Sequence, residues 1–349
     1  MSLHSDHTRT YILITGGAGF IGSHTAVELA QNGYNLIIID TLDNSSYSVI
    51  EHIHTLTSSS NSDIQFYQID YGNKDELNSI FSRFSISAVI HFAAHKCVPE
   101  SIQKPLTYYS NNVAKTITLL QVMADHGCKR ILFSSSATVY GIHASSPINE
   151  SANTGNGITN PYGNTKFVIE RILADLSTSD PAWSITCLRY FNPIGAHPSG
   201  LIGENPNGIP NNIFPYILRV AVGLYPSLPI YGNDYETYDG TCVRDFIHVV
   251  DLARAHQSAL AASYYDFGFK VYNVGTGKGT SVKTLIHAFE TSCNCTIHHK
   301  YTDRRPGDVA VLYADNQKIV NELGWTPEFS LEDMCRSGYA FALRNLHPQ

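Results

Sequence analysis

The sequence predicts an α/β protein with a doubly wound parallel sheet and a smaller, discontinuous second α/β domain towards the C-terminus. Three observations carry that reading. Apolar, β-prone runs alternate with amphipathic helix patterns over residues 11–190. A glycine cluster stands between the first such run and the first helix. After Tyr190 the alternation gives way to a Gly-, Pro- and Asn-rich stretch, 191–215, which reads as turns and loops. Strand and helix in alternation imply crossover connections, and these put helices on both faces of a parallel sheet.

The elements follow in order. Strand candidates are YILIT (11–15), NLIIID (35–40), IQFYQI (64–69), AVIHF (88–92), RILFSSS (130–136) and SITCLRY (184–190). The first three are nearly continuous in apolar or β-prone residues, as expected of strands covered on both faces. IGSHTAVELAQNG (21–33) reads as a helix closed by Gly33. TLTSSSNSD (55–63) reads as an exposed loop. Asn160 is a good N-cap and Pro161 suits a first helical position, so a helix is expected to start there. Further on, PYILRVAVGL (215–224) and SVKTLIHAFE (281–290) read as short helices. VRDFIHVVDLARAHQSAL (243–260) and VYNVG (271–275) read as a helix and a strand returning to the first domain. The expected division is 1–191, completed by about 244–275, against 192–243 and 276–349.

Composition excludes several classes. At 349 residues the chain is long for one core, and 43% hydrophobic with 15% charged residues is a folded rather than a disordered composition. A formal charge of −7 and the lack of a basic stripe argue against nucleic-acid binding. An odd count of 7 cysteines without a C-x-x-C pair fits neither a disulfide framework nor a zinc site, and points to reduced thiols. The histidines show no ligand spacing with carboxylates, so no metal is expected. The polar stretch MSLHSDHTRT is no signal peptide, and no apolar run approaches the ~20 residues that cross a bilayer. The expectation is a soluble, cytoplasmic protein.

TGGAGFIG (15–22) lies between the first strand and first helix. It fits G-x-G-x-x-G at Gly17, Gly19 and Gly22, and equally a three-residue spacing at Gly16, Gly19 and Gly22, with Phe20 and Ile21 opening the helix. Glycines let the backbone approach a pyrophosphate, and the helix N-terminus offers it unpaired N–H groups. Asp40 closes the second strand, where a carboxylate accepts from ribose hydroxyls and repels a 2′-phosphate. Together these predict a Rossmann dinucleotide site for NAD. Asp70, after the third strand, either holds the adenine end or serves a turn.

Beside a nicotinamide the pair in NPYGNTK (160–166) acquires meaning. Tyr162 and Lys166 lie one turn apart on a helix. Removing the proton of a substrate alcohol needs a base, and a free tyrosine, with a pKa of ~10, is a poor one at neutral pH. A neighbouring ammonium and the positive nicotinamide ring both favour the phenolate. Ser134, Ser135 or Ser136 is in place to hydrogen-bond the sugar oxygen.

GGAGFIG, SSSATVYG (134–141), PYGNTK (161–166), RYFNPIGAHPSG (189–200) and IPNNIFPY (209–216) resemble the extended short-chain dehydrogenase/reductase family, and within it the UDP-hexose 4-epimerases. GNDYETYDGTCVRDFIHVVDLARAH (232–256) and RRPGDVAVLYAD (304–315) carry the resemblance through the second domain. It implies interconversion of UDP-glucose and UDP-galactose: Tyr162 takes the C4 hydroxyl proton, NAD accepts the C4 hydride, the 4-keto sugar rotates, and the hydride returns to its other face. By resemblance Ser136 is the catalytic serine, Tyr162 the base and Lys166 its partner, also bonding the nicotinamide ribose. Asp40, Asn44 and Ser45 match the adenine-ribose end, and Asp70 and Tyr71 the adenine pocket. Phe92, Ala93, Lys96 and Asn111 line the cofactor site, with Tyr190 near the nicotinamide. For the nucleotide sugar it nominates Asn192, Asn211, Asn212, Tyr231, Arg244, Arg305 and Asp308. The arginines suit a diphosphate, Asp308 suits ribose hydroxyls and Tyr231 suits stacking on uracil. Arg244 beside Asp245 also reads as a surface ion pair, and Asp308 after Gly307 as a turn residue.

The resemblance also sets the rivals. Related dehydratases carry an acidic pair after the strand-five serine, whereas this chain has Ser136-Ala137-Thr138-Val139. A retained Tyr-x-x-x-Lys argues against a non-enzymatic NAD sensor of the same fold. The position that makes room for an N-acetyl group falls on Leu312, which implies weak turnover of UDP-N-acetylglucosamine. Family pairing through two helices implies a homodimer, with counterparts at 104–126 and 162–178.

Overall fold

A computed structural model describes residues 6–142, 145–305 and 307–346. Its main sheet has seven strands. They are β1 (Asp6–Thr15), β2 (Asn35–Asp40), β3 (Ile64–Gln68), β4 (Phe84–His91), β5 (Arg130–Ser136), β6 (Ser184–Tyr190) and a last strand, Gly268–Val274. The order from one edge is β3, β2, β1, β4, β5, β6 and Gly268–Val274. β3, β2, β1, β4 and β5 run parallel, with Ile14 opposite Ile38 and Ile90, and Ile38 opposite Phe66. This is the doubly wound order, whose switch point lies where the chain leaves β1 for β2 on one side and β4 on the other.

Burial explains which runs became which strands. β2 and β5 are covered on both faces, and their apolar runs set their bounds. β3 has an equally apolar sequence but lies at the sheet edge, and its residues are only half-buried. The core between sheet and helices is built from Leu13, Ile37, Val89, Ile131 and Phe133, with Leu119, Met123 and Leu173 facing them. A second core gathers Phe214, Leu218, Ile230, Leu285, Phe289 and Met334.

Proximity of the backbone divides the chain into two compact units. The first is Met1–Ser136, Asn160–Leu188 and His256–Val271; the second is Ala137–Thr159, Arg189–Ala255 and Tyr272–Gln349. Of the stretch read as one helix over 243–260, Val243–Arg244 and Phe246–His248 are short strands and the helix runs Val249–Ser263, while the strand read at 271–275 spans Gly268–Val274. The unit boundaries differ from the expected ones: 189–191, 244–255 and 272–275 fall in the second unit, so that only His256–Val271 returns to the first, and 137–159 also belongs with the second. There Ile148 bridges Ala314, and Glu150 accepts from the Asn273 backbone N–H at 2.7 Å. Such pairings join residues far apart in the chain, so local pattern does not announce them. Among the described residues no helix is long and apolar enough to cross a membrane.

Candidate functional site

The first unit holds the glycine loop. The turn leaves β1 and enters the helix α1 (Phe20–Gln31), whose N-cap is Gly19. Gly16 has φ +68°, which glycine adopts without penalty, and a Cβ there would lie 2.7 Å from the Ala93 N. A Cβ on Gly22 would fall on the Gly16 carbonyl oxygen and 2.8 Å from the Gly17 Cα. Loop, helix start and the Phe92–Ala93 segment are thus in backbone contact, with no side chain capping α1. Phe20 opens the helix, its ring edge-on to His24 at 5.3 Å. Ile21 follows it.

Asp40 ends β2 facing this loop. Its carboxylate accepts from the Ala18 N at 3.0 Å, the Leu42 N at 2.9 Å and the Ser45 Oγ at 3.2 Å. Burial raises its pKa against those donors, so the N–H groups fix its place more than its charge does. Leu42 turns the corner at φ 64°, a left-handed conformation that costs a leucine roughly 1–2 kcal/mol. Asn44 lies in the same turn. The loop's own N–H groups, Gly16 to Gly19, are already bonded within the fold, so what fits a dinucleotide is the glycine-lined start of α1, which no side chain caps, and a fixed carboxylate at the neighbouring strand end.

Asp70 serves a turn, the second of the two roles read from sequence. It accepts from the Gly72 N at 2.8 Å, as a turn aspartate does, and pairs with Lys115 Nζ at 2.6 Å. The Tyr71 hydroxyl donates to the Asn111 carbonyl, its ring lies edge-on to His91 at 5.1 Å, and burial raises its pKa. Phe92 packs on His256 at 4.8 Å, and Lys96 is exposed. Tyr190 is buried at the end of β6, in the second unit.

The predicted helix starts where expected. It spans Pro161–Ser179, and the Asn160 side chain accepts from the Gly163 N at 2.9 Å. Tyr162 is hydrogen-bonded to the Ser136 side chain, which selects Ser136 among the three serines for that contact. Lys166 Nζ donates to the Ser134 carbonyl at 2.6 Å, 4.8 Å from the Phe133 ring and 6.0 Å from the Tyr162 ring. The electrostatics correct the simple expectation. Burial pushes Tyr162 up to about 12, with the Ser136 bond opposing, and pushes Lys166 down to about 7. In this state desolvation outweighs the Ser136 bond, and the phenol keeps its proton at neutral pH. Sequence spacing shows a charge one turn away but not the dielectric around it.

The second unit carries the nominated nucleotide-sugar residues. Arg244 pairs across strands with Leu312. Its guanidinium donates to the Val309 carbonyl at 2.8 Å and the Val243 carbonyl at 2.9 Å, and lies 3.8 Å from Asp308. It does not pair with Asp245. That neighbour is wholly buried, accepting from the Thr276 N and Oγ1, the Gly277 N and the Ala314 N at 2.6–3.1 Å. The Asp308 backbone N–H also closes a turn onto the Arg305 carbonyl at 3.2 Å. The Arg305 guanidinium lies 4.1 Å over the Tyr231 ring, which is 38% exposed. Asn192 lies on the strand Asn192–Ile194, and Asn212 caps the helix Ile213–Ala221 and reaches Glu204 at 3.4 Å. Asn211, its neighbour, is exposed. Among the described residues no His, Cys, Asp and Glu cluster could hold a metal.

Sequence reasoning missed three residues. Lys115, the partner of Asp70, carried no local signal. Buried Asn112 accepts from the His95 N at 2.8 Å and donates to the His95 O and the Thr165 Oγ1, each at 3.0 Å, tying the 92–97 segment to the Tyr-Lys helix. Glu170 lies one turn beyond Lys166 and was readable by the periodicity that drew attention to Tyr162.

The profile of a family described as GDP-mannose 4,6 dehydratase matches residues 13–338. A UDP-glucose 4-epimerase of Oryza sativa subsp. japonica is 50% identical over 337 residues, 96% of this chain and 95% of the relative. A UDP-glucose 4-epimerase of Bacillus subtilis is 48% identical over 96% of this chain and 98% of its own length. The crystal structure of the Bifidobacterium longum UDP-glucose 4-epimerase in complex with NAD+ and UDP superposes with a TM-score of 0.92 at 46% identity, covering 96% and 98% of the two chains.

Proposed function

We propose a function from the premise that the chain belongs to the family matched by the GDP-mannose 4,6 dehydratase profile and, within it, to the UDP-glucose 4-epimerases. It is an NAD-dependent epimerase that interconverts UDP-glucose and UDP-galactose through a 4-keto intermediate. The observation that carries the reading is the Tyr162–Ser136 hydrogen bond with buried Lys166 one turn on, in a unit that also holds the glycine cradle.

When bound, NAD accepts the C4 hydride and gives it back. Gly16, Gly19 and Gly22, with Asp40, Asn44 and Ser45, hold its pyrophosphate and adenosine ribose, and Asp70 and Tyr71 its adenine. The residues of the chain manage the proton. Tyr162 Oη takes the C4 hydroxyl proton and later returns it, and Ser136 orients the sugar oxygen. The phenol needs positive charge close by before it serves as a base, because burial holds it near pKa 12. Lys166 supplies part of that charge. In the second unit Arg244 and Arg305 neutralise the diphosphate, Asp308 accepts from the uridine ribose and Tyr231 stacks on the base. The enzyme works in the cytoplasm as a homodimer, paired through the helical stretches 104–126 and 162–178, where Leu106 is 82% exposed.

The decisive experiment incubates purified protein, without added cofactor, with UDP-galactose, UDP-glucose and their N-acetylated counterparts, and resolves the products. Formation of UDP-glucose from UDP-galactose is the expected result, and its absence overturns the reading. Leu312 makes a further prediction. Its bulk is expected to hold kcat/KM for UDP-N-acetylglucosamine about 100-fold below that for UDP-galactose. Leu312→Ala narrows the gap, whereas equal efficiency in the parent enzyme removes the argument from size.

A further inference from the structure

The Tyr-Lys helix carries a third polar side chain in line with the first two. Glu170 follows Lys166 by one turn, as Lys166 follows Tyr162, so the three share a face. Lys166 is 2% exposed and Glu170 4%. β5 meets them with three consecutive serines. Ser136 bonds Tyr162, the Ser134 carbonyl accepts from Lys166 at 2.6 Å, and Ser135 Oγ donates to Glu170 Oε1 at 2.5 Å.

A carboxylate buried to this degree is costly unless hydrogen-bonded and matched by an opposite charge. Ser135 provides the bond and the Lys166 amine the charge. The benefit runs the other way too. Burial works against a charged Lys166, while Cys187 and, after it, Glu170 work for it. The other titratable neighbours are Tyr162 on the same helix, Cys187 on β6 and His91 on β4. His91 is bonded to Thr15 at 2.7 Å and Thr116 at 2.8 Å, and burial keeps it neutral. Glu170 is the carboxylate of the group. A neutral amine 6.0 Å from the Tyr162 ring would do nothing to draw off the phenol proton.

We propose that Glu170 is a positioning residue for the epimerisation: seated on Ser135, it supplies the buried negative charge that keeps Lys166 an ammonium beside Tyr162. This rests on the epimerase reading of the site. Glu170→Gln deletes the charge while keeping the shape and an acceptor for Ser135. The alkaline limb of the kcat profile is expected to move down by about one pH unit, because Lys166 then loses its proton earlier. KM for UDP-galactose stays within about twofold, the binding groups being untouched. Glu170→Asp, which retains the charge, returns the limb towards the parent.

NMR of lysine-labelled protein gives a readout that needs no turnover. The Lys166 titration midpoint is expected to fall in Glu170→Gln by the same margin. Where that variant does not fold, Ser135→Ala keeps the carboxylate but removes its seat, and a smaller fall is expected. A stationary midpoint in the folded variant, or a kcat lowered equally at every pH, overturns the proposal. A parent enzyme that leaves UDP-galactose unchanged instead overturns the epimerase reading, and the Lys166 midpoint still judges Glu170.

Discussion

Tyr162→Phe is expected to lower kcat for UDP-galactose by roughly 10²–10⁴-fold, the range a positioned general base contributes. The ring is half-buried and stays in place, so most of its packing survives the change. What goes is one oxygen, its bond to Ser136 and the only proton acceptor proposed for the C4 hydroxyl. Loss of that hydrogen bond costs about 1 kcal/mol of stability, too little to unfold a domain of this size. The variant should therefore purify folded, with its NAD, and bind UDP as the parent does. Steady-state turnover, with the absorbance of released cofactor as a control, checks this. A variant that keeps more than a tenth of parental kcat would mean the proton leaves by another route, and the mechanism above would be wrong.

Gly22→Ala has the second-largest expected effect, and it acts on the other half of the chemistry. The new methyl falls on the Gly16 carbonyl oxygen, with the Gly17 Cα at 2.8 Å and the Gly16 carbonyl carbon at 3.1 Å. All three are backbone atoms and none can rotate aside. The loop must lift away from the start of α1, which opens the cradle where the pyrophosphate is to lie. Overpacking of this kind costs about 1–3 kcal/mol. Cofactor retention should fall far more than stability. Gly33→Ala is the control: nothing lies within 4 Å of its added Cβ, but φ is +85°. It should lower stability by about 1–2 kcal/mol and leave NAD in place. Equal NAD content in the two variants would remove the cradle from the argument.

How much of this was readable in advance depended on the range of the interaction. β2, β5 and β6 begin and end where their apolar runs do, and the Tyr-Lys helix begins at the Asn160 cap, because those signals are local. The helix Tyr47–Leu56 was passed over, and only its last residues were read, as part of an exposed loop. Its apolar face is short, with only Ile50 and Ile53 buried. β4 starts at Phe84, ahead of AVIHF, because pairing with β1 recruits a weaker alternating stretch. In the site, the glycines, Asp40 and the Tyr-Lys pair were legible as spacing. The partner of Arg244 was not: the adjacent Asp245 invited a pairing, but its carboxylate is taken by Thr276, Gly277 and Ala314, while Asp308 comes from a distant segment. The state of Tyr162 was not legible either, since desolvation belongs to the folded core rather than to the motif.

Asp245 has a consequence of its own. One carboxylate works as a clasp on three strands of chain, gathering its own segment, Thr276–Gly277 and Ala314 around a single point. Arg244 reaches out to the Val309 carbonyl from that clasped backbone, like an oar from a fixed rowlock. The aim of the arginine is thereby governed by the side chain next to it in sequence, and asparagine at 245, with an amide turned towards N–H donors, would loosen the rowlock while leaving the oar intact.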